Sequence, residues 1–195
     1  LVALRGDPPA DCDRFTPHPD GFATSVELIE ALSATGQFTL RVGAYPEKHP
    51  EAESQRANID WLKAKIDAGA AEAITQFFFE AETFLRFRDA CVKAGINAPI
   101  TPGILPIINW KNARSFAARC GATVPSWLDQ AFDAAIRDDR HDLLAKALCT
   151  ELCSELVDEG VETLHFYTLN RPELTREICH ALGVKQAITV VRDVA

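Results

Sequence analysis

The chain opens Leu1-Val-Ala-Leu-Arg-Gly-Asp7 and runs at once into Pro8-Pro9. An apolar, strand-like run therefore ends on a glycine and a carboxylate held by a rigid loop, which is how a strand delivers an acid to a site. The pattern returns downstream, where apolar runs at 38–45, 73–79, 98–105 and 161–169 each precede a stretch with helical character. Roughly thirty to forty residues separate successive units, the length of a strand, a crossover helix and loops rather than of a hairpin. Parallel pairing of the strands is expected.

Apolar periodicity places the helices between these runs. Val26, Leu28, Ile29 and Leu32 form one stripe over 25–34, ended by Gly36. A second helix covers 51–68, with Ile59, Leu62 and Ile66 inward and Lys63, Lys65 and Glu53 marking its polar side. A third spans 80–94, with Phe84, Leu85, Phe87 and Val92 as core candidates and Gly95 as its stop. Helices at 109–120, 125–135 and 140–159 follow the fourth strand, and 172–182 closes the chain, with Pro172 suited to a first helical turn. The fourth strand carries Pro102, Gly103 and Pro106, so it is not expected to be regular: proline cannot donate to a ladder, and glycine invites a bulge or a ligand.

Composition bounds the rest. The chain has 195 residues, a net charge of −8 and 47% hydrophobic residues, enough for the core of one domain over 1–195 with no linker. The acidic balance argues against nucleic acid and anionic membrane as partners, though not against a local anion site. No run approaches a membrane span and no secretory segment opens the chain, so a cytoplasmic protein is expected. Six cysteines, with no CxxC, read as reduced thiols; Cys149 and Cys153 share a helical face and suit apolar packing, with no metal site. The chain starts inside a strand and has no methionine, so an upstream portion is expected to be absent.

The first loop is neither GxGxxG nor a phosphate-binding GxxxxGK[ST], which removes both open-sheet nucleotide signatures. Polar residues gather instead at strand C-termini: Arg5 and Asp7, Tyr45 and Glu47, Gln76, Asn109, Asn170 and Arg171. That distribution suits the active face of a (β/α)8 barrel, with three strands missing.

Five segments, Leu4-Arg-Gly-Asp-Pro-Pro9, Ala44-Tyr-Pro-Glu-Lys-His-Pro-Glu-Ala52, Ala73-Ile-Thr-Gln-Phe-Phe-Phe79, Pro102-Gly-Ile-Leu-Pro106 and His165-Phe-Tyr-Thr-Leu-Asn-Arg171, resemble methylenetetrahydrofolate reductase in order and spacing over essentially the whole chain. The resemblance implies an α/β TIM barrel of which this chain supplies strands four to eight. It also implies FAD as cofactor, NADH or NADPH as hydride donor, and a small-molecule folate as substrate, reduced from 5,10-methylenetetrahydrofolate to 5-methyltetrahydrofolate. The family's general acid, a first-strand glutamate, would lie upstream of Leu1. Homo-oligomerisation stays open, and a noncatalytic barrel fragment that binds a ligand or partner is the alternative.

Site residues carry over one by one as implications of that resemblance. Asp7 would tune the flavin and lie close to folate, against a plain reading as turn chemistry. Arg5 and Gly6 would touch the flavin, Gly6 by letting backbone approach, whereas an arginine there could equally be a rim salt bridge. Ala23, Tyr45, His49 and Ala52 fall at further FAD contacts. Asn58 and Lys65, seven residues apart and so close to one helical face, would reach the adenosine side and the phosphate. Asn58 stands where relatives often carry aspartate. Gln76 interrupts an apolar strand, where an unpaired amide would be expensive; in the family it orients the pterin and meets nicotinamide. Asn112 and Phe116, one helical turn apart, would line the folate, and Arg171 would help hold it. Phe77, Phe78, Phe79 and the other strand aromatics read as barrel packing.

Overall fold

The computed structural model describes residues 1–6 and 15–184. Along the chain lie β1 (Val2–Ala3), α1 (Ser25–Ala34), β2 (Arg41–Ala44), α2 (Gln55–Asp67), β3 (Glu72–Phe77), α3 (Ala81–Lys93) and β4 (Ile100–Ile104). Then come α4 (Trp110–Cys120), α5 (Ser126–Arg137), α6 (His141–Asp158), β5 (His165–Phe166) and α7 (Glu173–Ala181). Among the described residues no helix is long and apolar enough to cross a membrane.

The sheet has five parallel strands in the order β1-β2-β3-β4-β5. A doubly wound sheet would reverse its strand order at a switch point, and this one does not. Right-handed crossovers that always step the same way put their helices on one face, so the sheet is a half-barrel. That is the coarse form of the expected barrel.

Boundaries move where local chemistry dictates. The second helix starts at Gln55 rather than 51, because Ser54 is extended (φ −151°) and its side chain accepts the Ala57 amide. Upstream, residues 49–52 close a turn in which the Ala52 amide donates to the His49 carbonyl at 2.9 Å. Helix α1 begins with a variant capping box: Thr24 Oγ1 accepts from the Glu27 amide, and the Glu27 carboxylate accepts from the Ala23 amide at 2.8 Å. The fifth strand keeps only two residues of the expected 161–169. Its exit bends sharply, with Leu169 and Asn170 both left-handed (φ 49° and 60°).

Three apolar clusters fill the helix side. Ala3, Val42, Ala44 and Ala73 pack against Ile29, Ile59, Leu62, Phe87 and Cys91. Under the β4 exit, Phe77 and Leu105 meet Trp110, Ala117, Leu128 and Phe132, the Trp110 and Phe132 rings stacking at 4.5 Å. Phe78, Phe84 and Ile104 join Cys149, Cys153, Leu156 and Ile178 beneath α6 and α7. The described cysteines are free thiols, and Cys12 lies outside the described residues.

The β3–β4 ladder breaks in the middle. Ile74 pairs with Thr101 and Phe77 with Gly103, so three steps on β3 face two on β4, and the extra residue makes a bulge opposite Pro102. Proline has no amide to donate there. The Gly103 amide then turns to the Thr75 side chain, donating to Oγ1 at 2.9 Å. Gly103 is required by space: a Cβ there would collide with the Thr75 carbonyl and stand 2.6 Å from Cε2 of Tyr167. Gly103→Ala is therefore expected to lower stability by about 1–3 kcal/mol, read as a fall in the urea midpoint at unchanged slope; an unchanged midpoint would contradict the tight packing.

Candidate functional site

Because the strands are parallel, their C-terminal ends share one rim of the sheet, and the end of β3 together with the loops after β1, β2 and β5 brings most of the expected residues there. A small crevice at this rim is lined by Tyr45, Pro46, Glu47, Gln76, Phe77, Cys120, Gly121 and Ala122. Asp7 lies outside the described residues.

Gln76 sits in the bulge. It is half-buried and lines the crevice, so its amide is not sealed in the core. That removes the expected energetic penalty without an internal partner.

The loop after β2 is internally braced. The Tyr45 ring meets His49 edge-on at 4.4 Å, and His49 Nδ1 accepts the Glu51 amide at 3.1 Å. Glu51 in turn forms a two-pronged pair with Arg5, at 2.9 Å and 3.0 Å, and the Arg5 guanidinium holds this carboxyl below its usual range. The salt bridge weighed for Arg5 at the sequence level is thus present, and it ties the β1 exit to the β2 loop. Arg5 also lies over the Phe15 ring at 4.8 Å. Gly6 follows with φ +85°, and no atom of the described residues lies within 4 Å of where a Cβ would stand. Ala52 is half-buried, its carbonyl accepting from Lys48 Nζ at 2.7 Å.

Asn58 and Lys65 depart from expectation. Both are buried, at 8% exposure, so Lys65 does not belong to the polar side of α2 with Lys63. The Asn58 amide donates to the Tyr45 carbonyl at 2.8 Å, and Lys65 Nζ donates to the Gly43 carbonyl at 2.9 Å. The reason is local: the β1–β2 ladder stops at Ala3 and Val42, and the polar groups of β2 beyond it need other partners. Burial, with a smaller push from Arg5, lowers the Lys65 ammonium to about 8.

Phe116 leans on Phe77 at 5.1 Å, with the Arg119 guanidinium 5.7 Å from its ring, so it packs on the core cluster behind the crevice wall that Phe77 forms. Asn112 is exposed one turn earlier, its backbone amide capped by Asn109 Oδ1. Arg171 is exposed after β5, with its amide donating to the Thr168 carbonyl at 2.9 Å. Ala23 is exposed beside the α1 cap and is not among the residues that line the crevice.

Two interactions at this rim were not anticipated from sequence, one of them for Glu47, which was expected at the β2 exit without a partner. Glu47 clasps the far loop, both carboxylate oxygens accepting the Thr123 amide at 3.0 Å. Tyr167, read as packing, donates its hydroxyl to the Thr75 carbonyl at 2.8 Å, next to Gln76. The signal for the second was present in Pro102-Gly103, which forecast an irregular ladder without naming the side chain that would repair it.

Comparison with known proteins identifies the family of this chain. Residues 1–183 match the family model for methylenetetrahydrofolate reductase. The 5,10-methylenetetrahydrofolate reductase of Pectobacterium carotovorum is 46% identical over 95% of this chain and 60% of its own length, and that of Escherichia coli K12 is 44% identical over 96% and 62%. The chain thus spans about three fifths of the length of these relatives. Among solved structures, an uncharacterized Clostridium thermocellum protein that binds two copies of 5-methyl-5,6,7,8-tetrahydrofolic acid matches with a TM-score of 0.54. That match covers 91% of this chain and 65% of that one, and at 16% identity the likeness is one of fold.

The Lys65 environment has a pH signature. Below about 8 the group is protonated whether the chain is folded or not; between about 8 and 10.5 the unfolded chain still holds a proton that the folded chain has released. Stability should therefore rise with pH across that window, by on the order of 3 kcal/mol at most. Denaturant titrations at pH 7.5 to 10.5, in steps of about half a unit, should show this rise in the difference between the natural protein and Lys65→Met; parallel profiles for the two would refute the buried ammonium.

Proposed function

Since the chain belongs to the methylenetetrahydrofolate reductase family, we propose that it forms the folate- and cofactor-binding part of an enzyme that reduces 5,10-methylenetetrahydrofolate to 5-methyltetrahydrofolate with NADH or NADPH. The observation that carries this reading is the convergence of Tyr45, Gln76 and, through Phe77, Phe116 on one crevice at the C-terminal rim of a parallel half-barrel.

The residues present suit a planar, anionic cofactor such as FAD. Gly6 offers approachable backbone, Tyr45 and His49 offer a half-buried aromatic wall, and Arg5 supplies a cation beside them. Lys65 adds a second positive charge behind the β1–β2 gap at and below neutral pH. Bound FAD would supply the hydride relay between the nicotinamide and the folate in a ping-pong sequence.

Within that scheme each group of the chain has a defined task. Asp7, next after Gly6 in the sequence, would bring negative charge to the flavin and the folate. The Gln76 amide can donate and accept, which suits the mixed donor and acceptor edge of a pterin. Phe116 presents a ring face for an aromatic portion of either substrate. Arg171, at the start of α7, faces solvent and can meet a carboxylate.

Protein expressed from the intact gene should purify yellow, bleach on anaerobic addition of NADH or NADPH, and regain colour on 5,10-methylenetetrahydrofolate. Gln76→Ala should slow the folate step roughly tenfold or more, as loss of an orienting hydrogen bond in a desolvated site does, while leaving flavin content unchanged. Colourless, folded protein would instead favour a noncatalytic barrel module, and yellow protein that folate cannot reoxidise would point to a different flavin barrel.

A further inference from the structure

Gln76 lies in a bulge, and a bulge in a parallel ladder holds only if its freed backbone groups find partners. Pro102 contributes no amide opposite it. Two side chains close the gap: Thr75 Oγ1 accepts the Gly103 amide at 2.9 Å, and Tyr167, from the end of β5, donates its hydroxyl to the Thr75 carbonyl at 2.8 Å. The absent side chain of Gly103 makes room for both the Thr75 carbonyl and the Tyr167 ring. Tyr167 continues the β4–β5 ladder, its own amide donating to the Ile104 carbonyl at 2.9 Å, so its hydroxyl is delivered from a fixed backbone. Thr75 has no exposed surface, which leaves its carbonyl no water to fall back on.

We infer that Tyr167 is a positioning residue, bridging β5 to the bulge on β3 so that the Gln76 amide is held toward the folate. The inference rests on the proposed role of Gln76 and extends it. Tyr167 acts through the Thr75 carbonyl, one peptide unit from Gln76, and its hydroxyl is engaged with backbone rather than turned to the crevice. Burial pushes its phenol up to about 12, so the donor persists throughout the working pH range.

The test is a double-mutant cycle in the protein expressed from the intact gene, read as the dissociation constant for 5-methyltetrahydrofolate. Tyr167→Phe removes only the hydroxyl and should weaken binding roughly 3- to 10-fold, the range expected for one buried neutral hydrogen bond. Gln76→Ala should weaken it at least as much, and the double variant should be no worse than Gln76→Ala alone. Thr75→Ser should bind as the natural protein does, whereas Thr75→Val should resemble Tyr167→Phe. Natural affinity in Tyr167→Phe beside a weakened Gln76→Ala would overturn this inference and leave the site intact. Additive losses in the double variant would do the same, since Tyr167 would then act by a route other than Gln76. Undiminished affinity in Gln76→Ala would overturn the site assignment and this inference with it.

Discussion

A missing amide hydrogen organises the working rim of this half-barrel. Pro102 stands in the fourth strand where a donor would keep β3 and β4 in step, and without it the register slips by one residue between Ile74 and Phe77. Gln76 lies within that slip and lines the crevice. The disturbance is confined because Thr75 is held from two sides, by the Gly103 amide and by Tyr167. Below it the β2–β3 ladder runs undisturbed from Arg41 and Glu72 to Ala44 and Thr75.

A second constraint works on the neighbouring strand. The β1–β2 pairing ends early, and α2 answers by sending Asn58 and Lys65 inward to the Tyr45 and Gly43 carbonyls. These two bonds anchor the exit of β2, from which the Tyr45 to Ala52 loop departs. The loop's far side is fastened by Glu47 to Thr123 and its near side by Glu51 to Arg5. The cofactor-side loop is thus pinned to β1, α2 and the α4–α5 turn before any ligand arrives, which limits the ordering cost of binding.

The fold was readable from sequence because its signals were redundant. Strand runs, helical stripes and terminal glycines agreed, and the seven helices fall within a few residues of their expected spans. Periodicity could not separate capped from extended starts, which is why α2 begins four residues late, at Gln55 after the Ser54 cap, and it overran β5, after which Leu169 and Asn170 are left-handed. At the site, motif resemblance named residues but not their partners. Lys65 was read as a polar-face lysine because charge on a helix normally means solvent, and only the early end of β1 makes an inward ammonium sensible. Tyr167 was read as packing because nothing in a strand's sequence announces a free carbonyl on the strand beyond its neighbour.

The face of the sheet away from the helices carries its own argument. Parallel sheets are normally covered on both sides, yet alternation along β2 and β3 sets Arg41 and Glu72 opposite the apolar Val42 and Ala73 that meet the helices. The row is already satisfied as an enclosed one must be: the Glu72 carboxylate accepts from Thr101 Oγ1 and from Arg41 Nε, both at 2.6 Å. Those donors, the Thr101 hydroxyl first, hold its carboxyl below the usual range although it remains only partly covered. A solvated surface gains little from such a pair, whereas a closed barrel interior would leave an unpaired Glu72 at a heavy cost. The polar row is therefore compatible with the inner face of a partial barrel, beneath the rim where Gln76 and Tyr45 line the crevice.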